Sequence, residues 1–205
     1  MNIKVLNHAS IKMTGQKTIY FDPYQLMEEQ HDADIIFITH DHYDHYEESS
    51  IKNAMTENTI LVVPAALEEQ ARSLSKNLIL VEPNKTYTLD DILVEVIPSY
   101  NTNKDFHPKD KNYVGYNITI DNTKYYVMGD TDRTSEADSV QTDICLVPIG
   151  GTYTMNVDEA IAYINDLKPK KVIPIHYGTV AGDKSLGNTF KEKINDEIEV
   201  EVQIN

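Results

Sequence analysis

Cysteine occurs once, at Cys145, so no disulfide can form within the chain, which fits a reducing compartment. Positive charge is scarce: 18 lysines and arginines stand against 33 acids, a formal net charge of -15. A field of that sign repels nucleic-acid phosphates and anionic membrane surfaces, so neither is expected as a partner. A small anionic substrate stays compatible, because bound divalent cations reverse the local sign. Long apolar runs are lacking too. The longest, Ile60 to Leu67, contains Pro64 and falls short of the roughly 20 residues of a membrane span. Met1-Asn2-Ile3-Lys4-Val5 has no long apolar segment behind a basic one, so no export signal is expected and the expected location is the cytoplasm. There is no Gly/Ser-rich linker, low-complexity tract or internal repeat. Residues 1–205 therefore read as a single domain, with self-association left open.

Apolar residues make up 40 % of the chain, enough for a buried core, and 13 tyrosines take the place of the absent tryptophan. Tyrosine buries a ring while keeping a hydroxyl for a partner, so some are expected to line a site. Period-two spacing marks strand pieces at Ile3/Val5 and Ile11/Met13, and Thr18–Phe21 is a strand stopped by Asp22-Pro23. Ile35–Ile38 is a continuous β-branched run, as expected of a strand covered on both faces. A β-α rhythm follows: strand Ile60–Val63, helix Ala65–Leu74 with Pro64 in its first turn, strand Leu78–Val81. The middle is β-rich, with strands Leu93–Ile97, Val114–Ile120 and Tyr125–Met128 and a hairpin signal at Asp121-Asn122. The last third holds strand Ile144–Ile149, helix Val157–Leu167, strand Val172–Ile175, a weak helix near Phe190 and an alternating tail Ile198–Val202. Asn101–Asn112 is irregular and reads as a surface loop. The layer pattern alone implies an α/β or α+β sandwich.

The chemistry concentrates in Thr39-His40-Asp41-His42-Tyr43-Asp44-His45, where three of the seven histidines fall in six residues. In an extended segment His40 and His42 point to the same side and can share one metal. A turn near Asp44 would let Asp44 and His45 address a second. Imidazole and carboxylate suit zinc, manganese or iron. The motif also follows a buried strand, and strand ends are where sheets commonly display active sites.

H-x-H-x-D-H at the end of a buried strand resembles the signature of the metallo-β-lactamase superfamily. The resemblance implies a four-layer αβ/βα sandwich holding two divalent metal ions, zinc or manganese, and hydrolysis of a small, anionic lactone, ester or phosphodiester. It implies that Asp130, in Met128-Gly129-Asp130-Thr131-Asp132, bridges both metals. His176, in Ile173-Pro174-Ile175-His176-Tyr177-Gly178, would join Asp44 and His45 on the second. His107, in the irregular loop, would join His40 and His42 on the first. Asp44 would also orient the attacking water. True metallo-β-lactamases typically carry cysteine where Asp130 stands, and flavo-di-iron proteins glutamate where His42 stands, so both of those activities are disfavoured. A mono-iron dioxygenase of the same fold and a nuclease or phosphodiesterase are the alternatives. Gly150-Gly151-Thr152-Tyr153-Thr154-Met155, Pro174-Ile175-His176-Tyr177-Gly178 and Asn7-His8-Ala9-Ser10 are similar to the branch that includes L-ascorbate-6-phosphate lactonase, apart from Asn7, where glycine is common.

Other residues admit two readings. His8 either reaches the site edge, with a catalytic role, or satisfies a turn. Tyr153 and Tyr177 either donate to substrate or are packed aromatics, packing being the ordinary case. Lys104, Lys109 and Lys111 either meet a phosphate or form a solvated face, again the ordinary case. His31 reads as a surface histidine and Cys145 as a small buried hydrophobe.

Overall fold

The run Ile35–Ile38 shows no alternation because both faces of its strand are covered: each of these residues is at most 1 % exposed. In the computed structural model, which describes residues 1–204, the chain divides into two units, Met1–Glu82 and Pro83–Asn205, each built on one mixed sheet.

In the first unit, β1 (Asn2–Asn7), β2 (Ser10–Thr14) and β3 (Thr18–Phe21) form an antiparallel meander. From β3 the sheet continues in parallel through β4 (Ala33–Phe37), β5 (Met55–Pro64) and β6 (Leu78–Val81). Parallel neighbours need crossover connections. Helices α1 (Glu48–Ala54) and α2 (Glu68–Arg72) lie on the crossovers from β4 to β5 and from β5 to β6, packing Ile51, Ala54 and Ala71 into a core with Ile36, Ile38, Leu61 and Val63.

The second unit follows the same plan. Strands β7 (Thr86–Leu89), β8 (Ile92–Pro98), β9 (Val114–Ile120) and β10 (Thr123–Val127) are antiparallel. Strands β11 (Ile144–Pro148), β12 (Lys171–Ile175) and β13 (Glu199–Val200) then run parallel to β10. Helices α3 (Ser135–Asp138), α4 (Val157–Leu167) and α5 (Leu186–Lys193) contribute Ala137, Ile161, Ile164 and Phe190 to a core with Tyr126, Cys145, Val147 and Val172. In both units chemistry-bearing residues follow strand carboxyl ends, Asp22 after β3 and Asp130 after β10.

Local signals decide several boundaries. Asp121 and Asn122 both adopt positive φ, 49° and 61°, the requirement of a tight two-residue hairpin between Ile120 and Thr123. Helix α4 begins at a reciprocal cap between Asn156 and Glu159 and ends at the left-handed Lys168 before Pro169. The helix expected over Ala65–Leu74 is shorter. Residues Ala65–Leu67 form a 3-10 turn, only Glu68–Arg72 is α-helical, and Pro64 ends β5 opposite Val81 instead of opening the helix. The tail pairs only over Glu199–Val200. The sequence reading omits α1, α3 and β7, which are short and offer few apolar positions. No helix among the described residues is long and apolar enough to cross a membrane.

Cys145 is fully buried on β11, and burial pushes its thiol well above the usual range. Cys145→Ala is expected to cost about 1 kcal/mol in denaturant melts, the effect of a small cavity, with bound metal unchanged. Loss of metal in that variant would make Cys145 a ligand.

Candidate metal centre

In the first unit the chain leaves the sheet after Ile38, whose N–H still donates to Val62 at 2.9 Å. Residues 42–46 then turn, with the N–H groups of His45 and Tyr46 donating to the His42 carbonyl at 2.9 and 2.8 Å. That turn is what the second half of the motif requires. His40 Nε2 and His42 Nδ1 lie 3.2 Å apart, on the same side as extended alternation predicts. Asp44 and His45 are buried, and His8 places its Nε2 3.2 Å from Asp44 Oδ2. His8, Asp44 and His45 each offer a donor atom, all within 4.8 Å of one another. The His8 ring is fully buried and faces Asp44.

Asp22, read from the sequence only as a strand stop, organises this cluster. It accepts from the Thr39 N–H at 2.8 Å, the Thr39 hydroxyl at 2.6 Å and His45 Nδ1 at 2.7 Å. A carboxylate can only accept, so His45 carries its proton on Nδ1 and turns the Nε2 lone pair outward. The Thr39 hydroxyl spends its proton on Asp22 and accepts from His40 Nδ1 at 2.9 Å, which presents the Nε2 lone pair of His40 in the same way. The Nε2 lone pair of His40 then faces His42 Nδ1, a position that a proton on His42 or a cation between the two rings satisfies.

In the second unit, Asp130 follows β10 and Gly129, which adopts φ 66°. Asp130 Oδ2 lies 3.2 Å from His107 Nε2 and 2.9 Å from His176 Nε2. His107 Nδ1 is 3.1 Å from the Tyr153 carbonyl and 3.3 Å from the Asn101 amide nitrogen, so a neutral ring that donates to the carbonyl presents Nε2 as a lone pair. In that tautomer the lone pair points at a carboxylate oxygen in a buried setting, unless the ring takes a second proton. A cation reconciles the two, so the donor chemistry in each unit fits a divalent metal.

The model of the beta-lactamase superfamily domain matches residues 2–176. The chain belongs to the metallo-β-lactamase superfamily. A UPF0173 metal-dependent hydrolase of Thermoplasma acidophilum is 30 % identical over 193 residues, covering 87 % of this chain and 84 % of its own. Another, from Thermococcus onnurineus, is 28 % identical over 213 residues, covering 98 % and 95 %. The crystal structure of a Parabacteroides distasonis protein, proposed to be a metal-dependent hydrolase, has a TM-score of 0.81 at 27 % identity, covering 99 % of this chain and 93 % of its own. The protein is thus a metal-dependent hydrolase with the metallo-β-lactamase fold, and its two mixed sheets with helices are the α/β class that the sequence implies.

The hydrolase holds its donors on strained, pinned backbone. His8, Asp22, His107 and His176 all adopt φ between 44° and 58°, a left-handed conformation that costs a non-glycine residue about 1 kcal/mol or more. A Cβ on Gly150 would strike the His176 carbonyl, so glycine there lets the chain pass close behind His176. The loop carrying His107 is tied down at three points. The Asn101 amide donates to the carbonyls of Phe106 at 2.9 Å and Tyr153 at 2.7 Å. Asp132 accepts from the Thr102 N–H at 2.8 Å and pairs with Lys104. Glu136 accepts from Lys109 and the Tyr100 hydroxyl, both at 2.8 Å; the Lys109 bond, aided by those of Tyr100 and Ser135, holds its carboxyl down to about 2.

The solvated-face reading fails for Lys104, which is mostly buried against Asp132; Lys109 is exposed while tied to Glu136, and Lys111 is exposed. Tyr177 is a packed aromatic: it is fully buried, its hydroxyl donates to Ile204 at 2.9 Å, and burial pushes it up to about 12. Tyr153 packs edge-on against Phe106, and its carbonyl orients His107. His31 is exposed as expected, with Nδ1 2.8 Å from the Met55 carbonyl.

Asp22→Asn keeps the size of the side chain but gives up the charge and one acceptor oxygen. It is expected to weaken metal affinity about 10- to 100-fold, measured by competition with a chromogenic chelator. Wild-type affinity in that variant would contradict the orienting role.

Proposed function

We propose that His40, His42 and His107 hold one divalent cation, that Asp44, His45 and His176 hold a second, and that Asp130 bridges the pair. Zinc or manganese suits this imidazole and carboxylate set. The observation that carries the reading is the buried Asp130 Oδ2 with imidazole nitrogens of His107 and His176 converging on it at 3.2 and 2.9 Å. Bound there, the cations supply Lewis acidity and make water acidic enough to ionise near neutral pH.

The rest belongs to the chain. Asp44 orients the attacking water with its carboxylate and takes up its proton. His8 Nε2, 3.2 Å from Asp44 Oδ2, is the group placed to relay that proton. Asp22 and the Tyr153 carbonyl keep His45, His40 and His107 in the tautomers that present Nε2. The reaction is hydrolysis of a small lactone, ester or phosphodiester in the cytoplasm. Likeness to the L-ascorbate-6-phosphate lactonase branch in Asn7–Ser10, Gly150–Met155 and Pro174–Gly178 favours lactones and phosphorylated substrates.

Elemental analysis of purified protein, with a panel of lactone, phosphodiester and thioester substrates, tests the proposal. Two zinc or manganese ions per chain are expected. Asp130→Ala should lose metal and at least about 100-fold in turnover, the scale of a lost electrostatic stabiliser, with unchanged circular dichroism. One redox-active iron per chain with persulfide oxidation would mark the dioxygenase instead, and full activity of Asp130→Ala would refute the bridge.

A further inference from the structure

Within the second unit, an open groove of about 740 Å³ lies between helix α3 and strands β7 to β10, a size that suits a small molecule. None of the proposed metal ligands lines it. Asn117, which does, is 2 % exposed and sits directly opposite Glu95 in the sheet. Its Nδ2 donates to Glu95 Oε2 at 2.7 Å and to the Gln141 carbonyl at 3.2 Å. Both of those oxygens only accept, so the amide cannot be turned over. Its Oδ1 is therefore left buried without a hydrogen-bond partner, an unfavourable state for a carbonyl oxygen.

The charges around that oxygen are unevenly engaged. Glu136 also lines the groove, but its carboxylate is committed to Lys109, Tyr100 and Ser135, each at 2.8 Å. Glu95 is oriented by the Asn117 amide, with Lys124 Nζ a loose 3.8 Å away, and both side chains are 36 % exposed. Lys85 adds a second cation to the lining, and Ile97 and Val140 add apolar surface. A plain anion would meet Glu95, and a plain cation would meet Lys124 and Lys85. A molecule carrying both charges satisfies the acid, the base and the unpaired carbonyl together. We infer that the groove binds a small zwitterion, an α-amino acid with an apolar side chain. Its ammonium donates to Glu95 and Asn117 Oδ1, its carboxylate accepts from Lys124, and its side chain lies along Ile97 and Val140. This site is separate from the metal centre and does not depend on the reading proposed for it.

Isothermal titration near neutral pH with L-leucine, L-leucinamide and 4-methylpentanoate tests the inference. The three share one side chain; the second lacks the carboxylate and the third lacks the ammonium. L-leucine is expected to bind about tenfold tighter than either, the worth of one charge-assisted hydrogen bond. Glu95→Gln and Lys124→Met, at half-exposed positions that the fold tolerates, should each weaken leucine by about the same factor. Equal affinity of leucine and either analogue overturns the zwitterion, and no heat from any probe overturns the site. Leucine binding that survives both substitutions belongs to chelation by a bound metal and refutes the proposal as well.

Discussion

A buried carboxylate oxygen with two imidazole nitrogens drawn up to it governs the second unit. Asp130 is 3 % exposed, and His107 reaches it with Nε2 while its Nδ1 faces the Tyr153 carbonyl. Two acceptors held together away from water are unfavourable unless positive charge lies with them. In the first unit Asp22 and Thr39 take the opposite side of His40, whose Nε2 is turned toward His42 Nδ1. Metal dependence is written into proton placement: each ligand is defined as much by what its far nitrogen bonds as by where its near nitrogen points.

The fold spends stability to keep those placements. Four of the buried polar residues involved, His8, Asp22, His107 and His176, sit at left-handed φ. Such strain persists only where the surroundings over-determine it. Here the surroundings are visible: Gly150 behind His176, Asn101 and Asp132 under the His107 loop, and Thr39 between Asp22 and His40. Each attaches to the carboxyl end of a strand, so the sheets set positions and the loop bonds set orientation.

Much of this was legible in the residues themselves. H-x-H-x-D-H announces its chemistry because histidine is uncommon and its spacing is local; the turn at His42–Tyr46 adds little that spacing had not implied. The strand Ile35–Ile38 is equally plain, since burial on both faces leaves an unbroken apolar run. Asp22 is different. An aspartate before proline after a strand is the ordinary end of a strand, and only three-dimensional pairing with residues 17 and 23 positions away reveals its use. Lys104 misled for the same reason, its partner Asp132 lying 28 residues on. The short helices α1 and α3 carry too few apolar positions for periodicity to register.

The central proposal is that the Asp130 carboxylate is shared by a pair of cations. Anomalous diffraction at the metal edge from zinc- or manganese-loaded crystals measures this most directly. Two peaks per chain are predicted, both bonded to Asp130, one with His40, His42 and His107 and the other with Asp44, His45 and His176. A single peak without Asp130 in its coordination sphere, or ions bound away from these residues, would contradict it.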